Sequence, residues 1–128
     1  ILKISDDEIE FMTGEKDIKT GVKKLIDEYH IPFICATMGK NGSMAFFDGH
    51  IVEAAPFLRD DTVETTGAGD TFCACLLHDV LEHGINDRKD DDVKKMLTFA
   101  NAAASLITTR KGALRVMPEK GEVEAVIK

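Results

Sequence analysis

The sequence predicts an α/β fold, a mostly parallel sheet that carries one β-hairpin, and three observations predict it. Phe33-Ile34-Cys35-Ala36-Thr37 runs apolar almost without interruption, the pattern of a strand covered on both faces in a parallel sheet. Asp48-Gly49 stands between two apolar stretches, and both positions tolerate positive φ, so a two-residue hairpin turn is expected there. Elsewhere apolar residues recur at three- and four-residue spacing, the signature of helices with one buried face. At 128 residues, positions 1–128 read as a single domain. Hydrophobic residues make up 44% and aromatic ones only 6%, which supports a real but aliphatic core.

In chain order, positions 1–4 predict a short strand that ends at Ser5. Ser5-Asp6-Asp7-Glu8 fits a capping box, in which the serine caps a helix and the glutamate three residues on reaches back. That helix runs to about Met12, and Thr13-Gly14 stops it. Ile18, Val22, Leu25, Ile26 and Tyr29 form the buried stripe of a second helix, which Pro32 ends. The strand 33–37 follows, Gly39-Lys40-Asn41-Gly42 turns the chain, and Ser43–Phe47 with positions 50–55 form the hairpin arms. Positions 56–63 are a connection.

After Asp70, Phe72, Leu76 and Val80 make one apolar row and Cys73, Leu77 and Leu81 its neighbour. This predicts a widely buried, central helix capped by Gly84. Asp90-Asp91-Asp92 suits a helix start, where negative charge complements the dipole. Val93, Met96, Leu97, Ala100, Ala103, Ala104 and Ile107 are its expected buried face. Positions 108–112 read as a loop, 113–118 as an edge strand, and 122–127 as a short last helix. There is no internal repeat.

The net charge of −7 and a pI near 5.0 argue against a nucleic-acid surface, which needs a basic patch. Neither a span of about 18 apolar residues nor a signal peptide is visible, so no membrane partner is expected. Cys35, Cys73 and Cys75 are odd in number and lie in apolar runs, with no spacing that offers four zinc ligands. They read as reduced core thiols of a cytoplasmic protein. Ile1-Leu2-Lys3-Ile4 looks like a strand entered partway, with no initiator methionine, as in a piece of a longer protein.

The chemistry concentrates at Thr65-Thr66-Gly67-Ala68-Gly69-Asp70-Thr71-Phe72. A glycine-rich turn entering a helix aims several backbone N–H groups at one spot, and the helix dipole favours negative charge there. Phosphate is the usual occupant. The turn is neither a Walker loop, for want of Gly-Lys-Ser/Thr, nor a dinucleotide fingerprint, because Phe72 replaces the third glycine. Asp70 can accept a proton from a hydroxyl nucleophile while the N–H groups hold charge on the transferred group. The same four residues also suit a turn with a capping aspartate, and both readings stand on this turn alone. His78-Asp79-Val80-Leu81-Glu82-His83 has three residues between the first histidine and the glutamate where the inverted zinc motif has two, so solvent-facing polar residues are the better reading. Arg110 and Lys111 suit phosphate or a helix-ending basic pair, and the aspartates at 90–92 suit a solvated helix start better than a cation site.

Val63-Glu64-Thr65-Thr66-Gly67-Ala68-Gly69-Asp70-Thr71-Phe72 closely resembles the second signature of the ribokinase-like (PfkB) carbohydrate kinases, and the chain looks most like the fructokinases. Ser5-Asp6-Asp7-Glu8 resembles the family's Asn-x-x-Glu element with serine in the asparagine position. Thr37-Met38-Gly39-Lys40-Asn41-Gly42-Ser43 resembles the turn along the nucleotide. Phe99-Ala100-Asn101-Ala102-Ala103-Ala104 and Thr109-Arg110-Lys111-Gly112-Ala113 resemble the segments beside the adenine and the monovalent cation.

The resemblance implies the C-terminal, nucleotide-binding portion of a three-layer α/β/α ribokinase-like fold, and ATP-dependent phosphorylation of a sugar hydroxyl, fructose foremost. It implies Asp70 as general base and the N–H groups of Gly67, Ala68 and Gly69 as anion hole. Thr37, Gly39 and Gly42 would line the nucleotide, with Asn101 at its base or ribose. Glu8 would act through water on Mg2+, and Glu64 with Thr66 would serve a K+ site. Glu64 stands where the family usually has aspartate, so its carboxylate reaches further by one methylene.

The resemblance further implies that most sugar contacts and the small lid lie outside these residues. This chain alone is then expected not to phosphorylate sugar, because a base without a positioned hydroxyl loses the proximity effect. An exposed sheet edge favours pairing with another chain, hence homo-oligomers. The rival readings are a nucleotide-binding or assembly module without catalysis, and a kinase for 2-keto-3-deoxygluconate, ribose or a nucleoside.

Overall fold

Leu2-Lys3-Ile4-Ser5 alternates apolar and polar residues, and a strand sends alternate side chains to opposite faces. The computed structural model, which describes residues 1–112 and 116–128, makes this stretch β1 (Leu2–Ser5). There follow α1 (Asp6–Thr13), α2 (Ile18–Tyr29), β2 (Phe33–Thr37), β3 (Ser43–Phe47), β4 (His50–Ala54), α3 (Ala68–His83), α4 (Asp90–Ile107) and α5 (Lys120–Ile127). The sheet order is β1-β2-β3-β4.

Only the β1–β2 pairing is parallel; β2–β3 and β3–β4 are antiparallel. The sheet is therefore mixed rather than mostly parallel, and the reason is length. Residues 38–42 alone join β2 to β3, whereas a parallel crossover needs a dozen or more. The hairpin forms as expected, with Asp48 at φ 47° and Gly49 at φ 75° joining Phe47 to its partner His50.

Both sheet faces are covered. Ile4, Ile34, Ala36, Met44 and Phe46 pack with Ile9 of α1 and with Val22 and Leu25 of α2. Phe33, Cys35, Ala45, Phe47, Val52 and Ala54 pack on the other face with Phe72 and Leu76 of α3 and Val93, Met96, Leu97 and Ala100 of α4. Helix, sheet and helix thus form three layers. The capping box of α1 is complete: the Ser5 N–H donates to Glu8 Oε2 at 2.8 Å and the Glu8 N–H to Ser5 Oγ at 3.2 Å.

Several expectations shift. Tyr29 is 54% exposed, because the stripe of α2 runs one turn past the layer that covers it. His30, at φ 54°, rather than Pro32 ends that helix. On α3 the row Phe72 and Leu76 is buried, but Leu77 is 47% and Leu81 86% exposed. The central helix is instead α4, which packs against α3, β3, β4 and α5. The expected edge strand falls partly on residues 113–115, outside the described residues, and residues 116–118 form no strand. The last helix starts at Lys120, two residues early, because Glu119 and Glu122 make a capping box of their own. Burial raises the Cys35 thiol to about 12 and the Cys75 thiol to about 11, which suits inert core thiols. No helix among the described residues is long and apolar enough to cross a membrane.

Candidate active site

A cavity of about 560 Å3 opens where β1, the turn after β2, the connection after β4, the first turn of α3 and the middle of α4 converge. Thr37, Gly39, Gly42, Ala68, Gly69 and Asn101 line it, so residues 64 positions apart in sequence meet at one site, from Thr37 to Asn101. A larger cavity, about 670 Å3, lies between α3, α4 and the start of α5. None of the expected site residues lines that one.

The first turn of α3 carries the anion-binding geometry. Gly67 occupies the left-handed region at φ 85° and is the helix N-cap, a conformation that favours glycine. No side chain caps the helix, and a turn without a side-chain cap leaves its first N–H groups to a ligand or water. Thr71 N–H closes the turn onto Gly67 O at 2.8 Å. The structure modifies the expected donor set: Ala68 N–H already donates to Thr65 O at 3.2 Å. Among the described residues the N–H groups of Gly67, Gly69 and Asp70 have no such partner.

Asp70, the third residue of α3, is exposed and does not cap the helix. It makes neither a hydrogen bond nor an ion pair among the described residues. It also stays off the lining of the cavity, whose wall at this point is Ala68 and Gly69. The turn therefore has the cavity on one flank and a free carboxylate away from that lining.

The opposite wall is built differently. Gly39 has φ 54° and Gly42 φ 89°, and the turn closes on itself through Asn41 N–H to Met38 O at 2.9 Å, Gly42 N–H to Gly39 O at 3.2 Å and Met38 N–H to Gly42 O at 2.9 Å. A Cβ on Gly42 would fall inside the van der Waals envelope of the Ala54 carbonyl oxygen. Asn101 is 9% exposed, and its Nδ2 donates to Ala54 O at 3.3 Å and Ala55 O at 3.0 Å. Its amide nitrogen thus fastens the end of β4 to α4, and Oδ1 is the atom left for a ligand.

The expected metal residues stand apart from the lining. Glu8 is exposed, and the hydrogen bonds from the Ser5 N–H and hydroxyl, aided by the field of Lys3, hold its carboxyl below the ordinary 4.5. One oxygen is engaged with Ser5 and the other is free, which fits a hydrated divalent ion held through water. Glu64 Oε1 accepts from the Gly112 N–H at 2.6 Å, while the Val63 and Glu64 N–H groups both donate to Thr108 O at 2.7 and 3.1 Å. The longer glutamate has thus taken a backbone partner, and only its second oxygen and the exposed Thr66 suit a monovalent cation. No cluster of three or more potential metal ligands occurs among the described residues.

The other candidates stand away from this cavity. His78 pairs with Glu82 at 3.2 Å and His83 with Asp79 at 3.3 Å on the exposed side of α3. Arg110 donates to Val116 O at 2.9 Å and Glu122 Oε1 at 2.6 Å, tying the end of α4 to α5, and Lys111 is exposed. Asp90-Asp91-Asp92 forms the first turn of α4, with His50 on Asp90 at 2.7 Å.

Sequence reading missed one lining residue of consequence, Lys3. Its strand neighbours Leu2 and Ile4 belong to the α1–α2 core, so alternation turns Lys3 to the α3 side. A Cβ on Gly69 would stand 3.1 Å from its Nζ. The signal that could have found it is a lysine at an inward position of a strand.

A family model described as pfkB family carbohydrate kinase matches residues 1–120. A probable fructokinase-2 of Arabidopsis thaliana is 31% identical over 128 residues, covering 100% of this chain and 39% of that protein. A fructokinase of Klebsiella pneumoniae is 34% identical over 125 residues, covering 96% and 39%. The crystal structure of a fructokinase from Vibrio cholerae O395 in a fructose-, ADP- and calcium-bound form superposes with a TM-score of 0.83 at 25% identity, over 99% of this chain and 41% of that one. The chain thus spans about two fifths of the length of each of these relatives.

Proposed function

The chain belongs to the pfkB family of carbohydrate kinases, and we propose that the protein carrying it transfers the γ-phosphoryl group of ATP to a sugar hydroxyl, fructose being the foremost acceptor. The observation that carries this reading is the first turn of α3, which presents unpartnered N–H groups beside a cavity lined also by Thr37, Gly39, Gly42 and Asn101. The fructokinases among its relatives support fructose as the acceptor.

In the proposed reaction the acceptor oxygen forms a bond to the γ-phosphorus as the bond to the bridging oxygen breaks, and ADP leaves with that electron pair. Asp70 takes the hydroxyl proton, a role for which its unpaired carboxylate is free. The N–H groups of Gly67, Gly69 and Asp70 face the charge on the transferred group, already oriented and so at no reorganisation cost. Thr37, Gly39 and Gly42 hold the nucleotide, with Asn101 Oδ1 at its base or ribose. A bound Mg2+ would neutralise phosphate charge, and Glu8 would hold it through water; Glu64 and Thr66 are the candidates for K+. The 128 residues alone are expected to be inactive, since they supply a base without a positioned hydroxyl.

The test is ADP release by the full-length protein carrying this sequence, with ATP and Mg2+ and a panel of fructose, ribose, 2-keto-3-deoxygluconate and a nucleoside. Turnover with fructose exceeding the others is the expected result. Turnover with another member of the panel would move the acceptor, and none with any sugar would sink the kinase reading.

A further inference from the structure

Lys3 stands where a cation is disfavoured in the chain as it is. Its ammonium reaches the first turn of α3, and a helix N-terminus carries partial positive charge that repels it. The residue is partly buried, which adds a desolvation cost. Among the described residues no carboxylate pairs with it and no acceptor takes its N–H bonds. Glu8, the acid its field reaches, is bonded to the Ser5 backbone instead. Each of these costs reverses if an anion lies between the ammonium and the helix, because the lysine and the N–H groups then face the same negative charge.

Given the kinase reading, on which this inference rests, we propose that Lys3 is a catalytic residue: its ammonium, with the N–H groups of Gly69 and Asp70, binds oxygens of the nucleotide phosphates and of the phosphoryl group in transfer. Lys3 gives no proton to the leaving ADP and takes none from the acceptor, whose proton goes to Asp70. Its contribution is a fixed positive charge where charge is redistributed, as expected of a site that works by positioning and neutralisation. Gly69 acquires a reason as well. It lies in an ordinary helical turn without positive φ, so backbone freedom does not require glycine, but a side chain there would press on the lysine Nζ at 3.1 Å.

The experiment compares ATP with adenosine, by calorimetric titration in Mg2+ buffer, on the full-length protein carrying this sequence and its Lys3→Met, Lys3→Arg and Gly69→Ala variants, with steady-state kinetics alongside. Lys3→Met should weaken ATP about 10- to 100-fold, the scale of a lost charge-assisted hydrogen bond, and leave adenosine unchanged. Its kcat should fall by more than its KM for the sugar changes. Lys3→Arg, which keeps the charge, should stay within about fivefold of the parent for ATP, and Gly69→Ala should weaken ATP but not adenosine. If Lys3→Met binds ATP within twofold of the parent, the role of Lys3 falls while the nucleotide site stands. If it loses ATP and adenosine equally, Lys3 is structural and the proposal falls likewise. If the parent protein binds neither ligand, the kinase reading fails and takes the assignment with it.

Discussion

Two glycine turns wall the same cavity, and they are made for different purposes. The turn at 39–42 closes on itself: the N–H groups of Met38, Asn41 and Gly42 return to carbonyls of the same turn, and Gly42 is glycine because the Ala54 carbonyl leaves no room for a Cβ. The turn at 67–70 leaves donors open, holds a free carboxylate, and has a lysine at its flank. One wall sets shape and the other sets charge. Mutations of the first should therefore appear mainly in stability, and mutations of the second mainly in chemistry.

The sharpest way to break that division is Asp70→Asn. In the full-length protein its turnover should fall by about 10^3-fold, the middle of the range for a lost general base, with nucleotide affinity and melting temperature nearly unchanged. A variant within a few-fold of the parent rate would remove Asp70 from the base role. Gly42→Ala comes next and should act on the other quantity. Strain at φ 89° adds to the collision with backbone, and a cost of about 3 kcal/mol is expected in chemical denaturation. A loss under about 1 kcal/mol would show that the turn yields and that this wall is not rigid.

Gly39→Ala separates strain from crowding within the same turn. Nothing lies within 4 Å of a Cβ there, so only the left-handed φ of 54° is penalised, at about 1 kcal/mol. Glu8 gives the smallest effect, read against pH. Its folded-state carboxyl is held below 4.5 chiefly by the Ser5 hydrogen bonds, so its stabilisation is present above pH 4.5 and is lost as pH falls through the lowered value. Glu8→Gln should flatten the acid limb of the stability profile in that window, matching the parent at low pH and lacking near pH 7 the small increment that the charged carboxylate supplies there. An unchanged acid limb would show that the capping box does not act through the charge of Glu8.

Helices α3 and α4 show how much periodicity can say. Both have apolar rows at helical spacing, and the rows in α3 look the stronger. Yet Leu81 lies 86% exposed while Val93 and Leu97 are fully buried. A stripe records that a face suits burial; which neighbour covers it is a matter of assembly. The β2–β3 link teaches the converse lesson, because its shortness settled an antiparallel pairing that the apolar run 33–37 by itself did not reveal. Asn101, expected from its motif at the nucleotide's base or ribose, lines the cavity, but its amide bonds to Ala54 and Ala55 span some 46 residues of sequence and had no local signature.

What the sequence determined by itself is local and covalent in reach. The capping box at Ser5, the Asp48-Gly49 turn, the start of a helix after Gly67 and the family signature around Asp70 each depend on residues within a few positions of one another. Tertiary structure decided what required distant residues to meet. It made α4 the central helix, gave Glu64 the Gly112 N–H, and brought Lys3 of the first strand to the first turn of α3, 66 positions away at Gly69. Electrostatic proximity through space has no period along the chain, so the charge beside the first turn of α3 became visible only when the sheet and the helix were packed together.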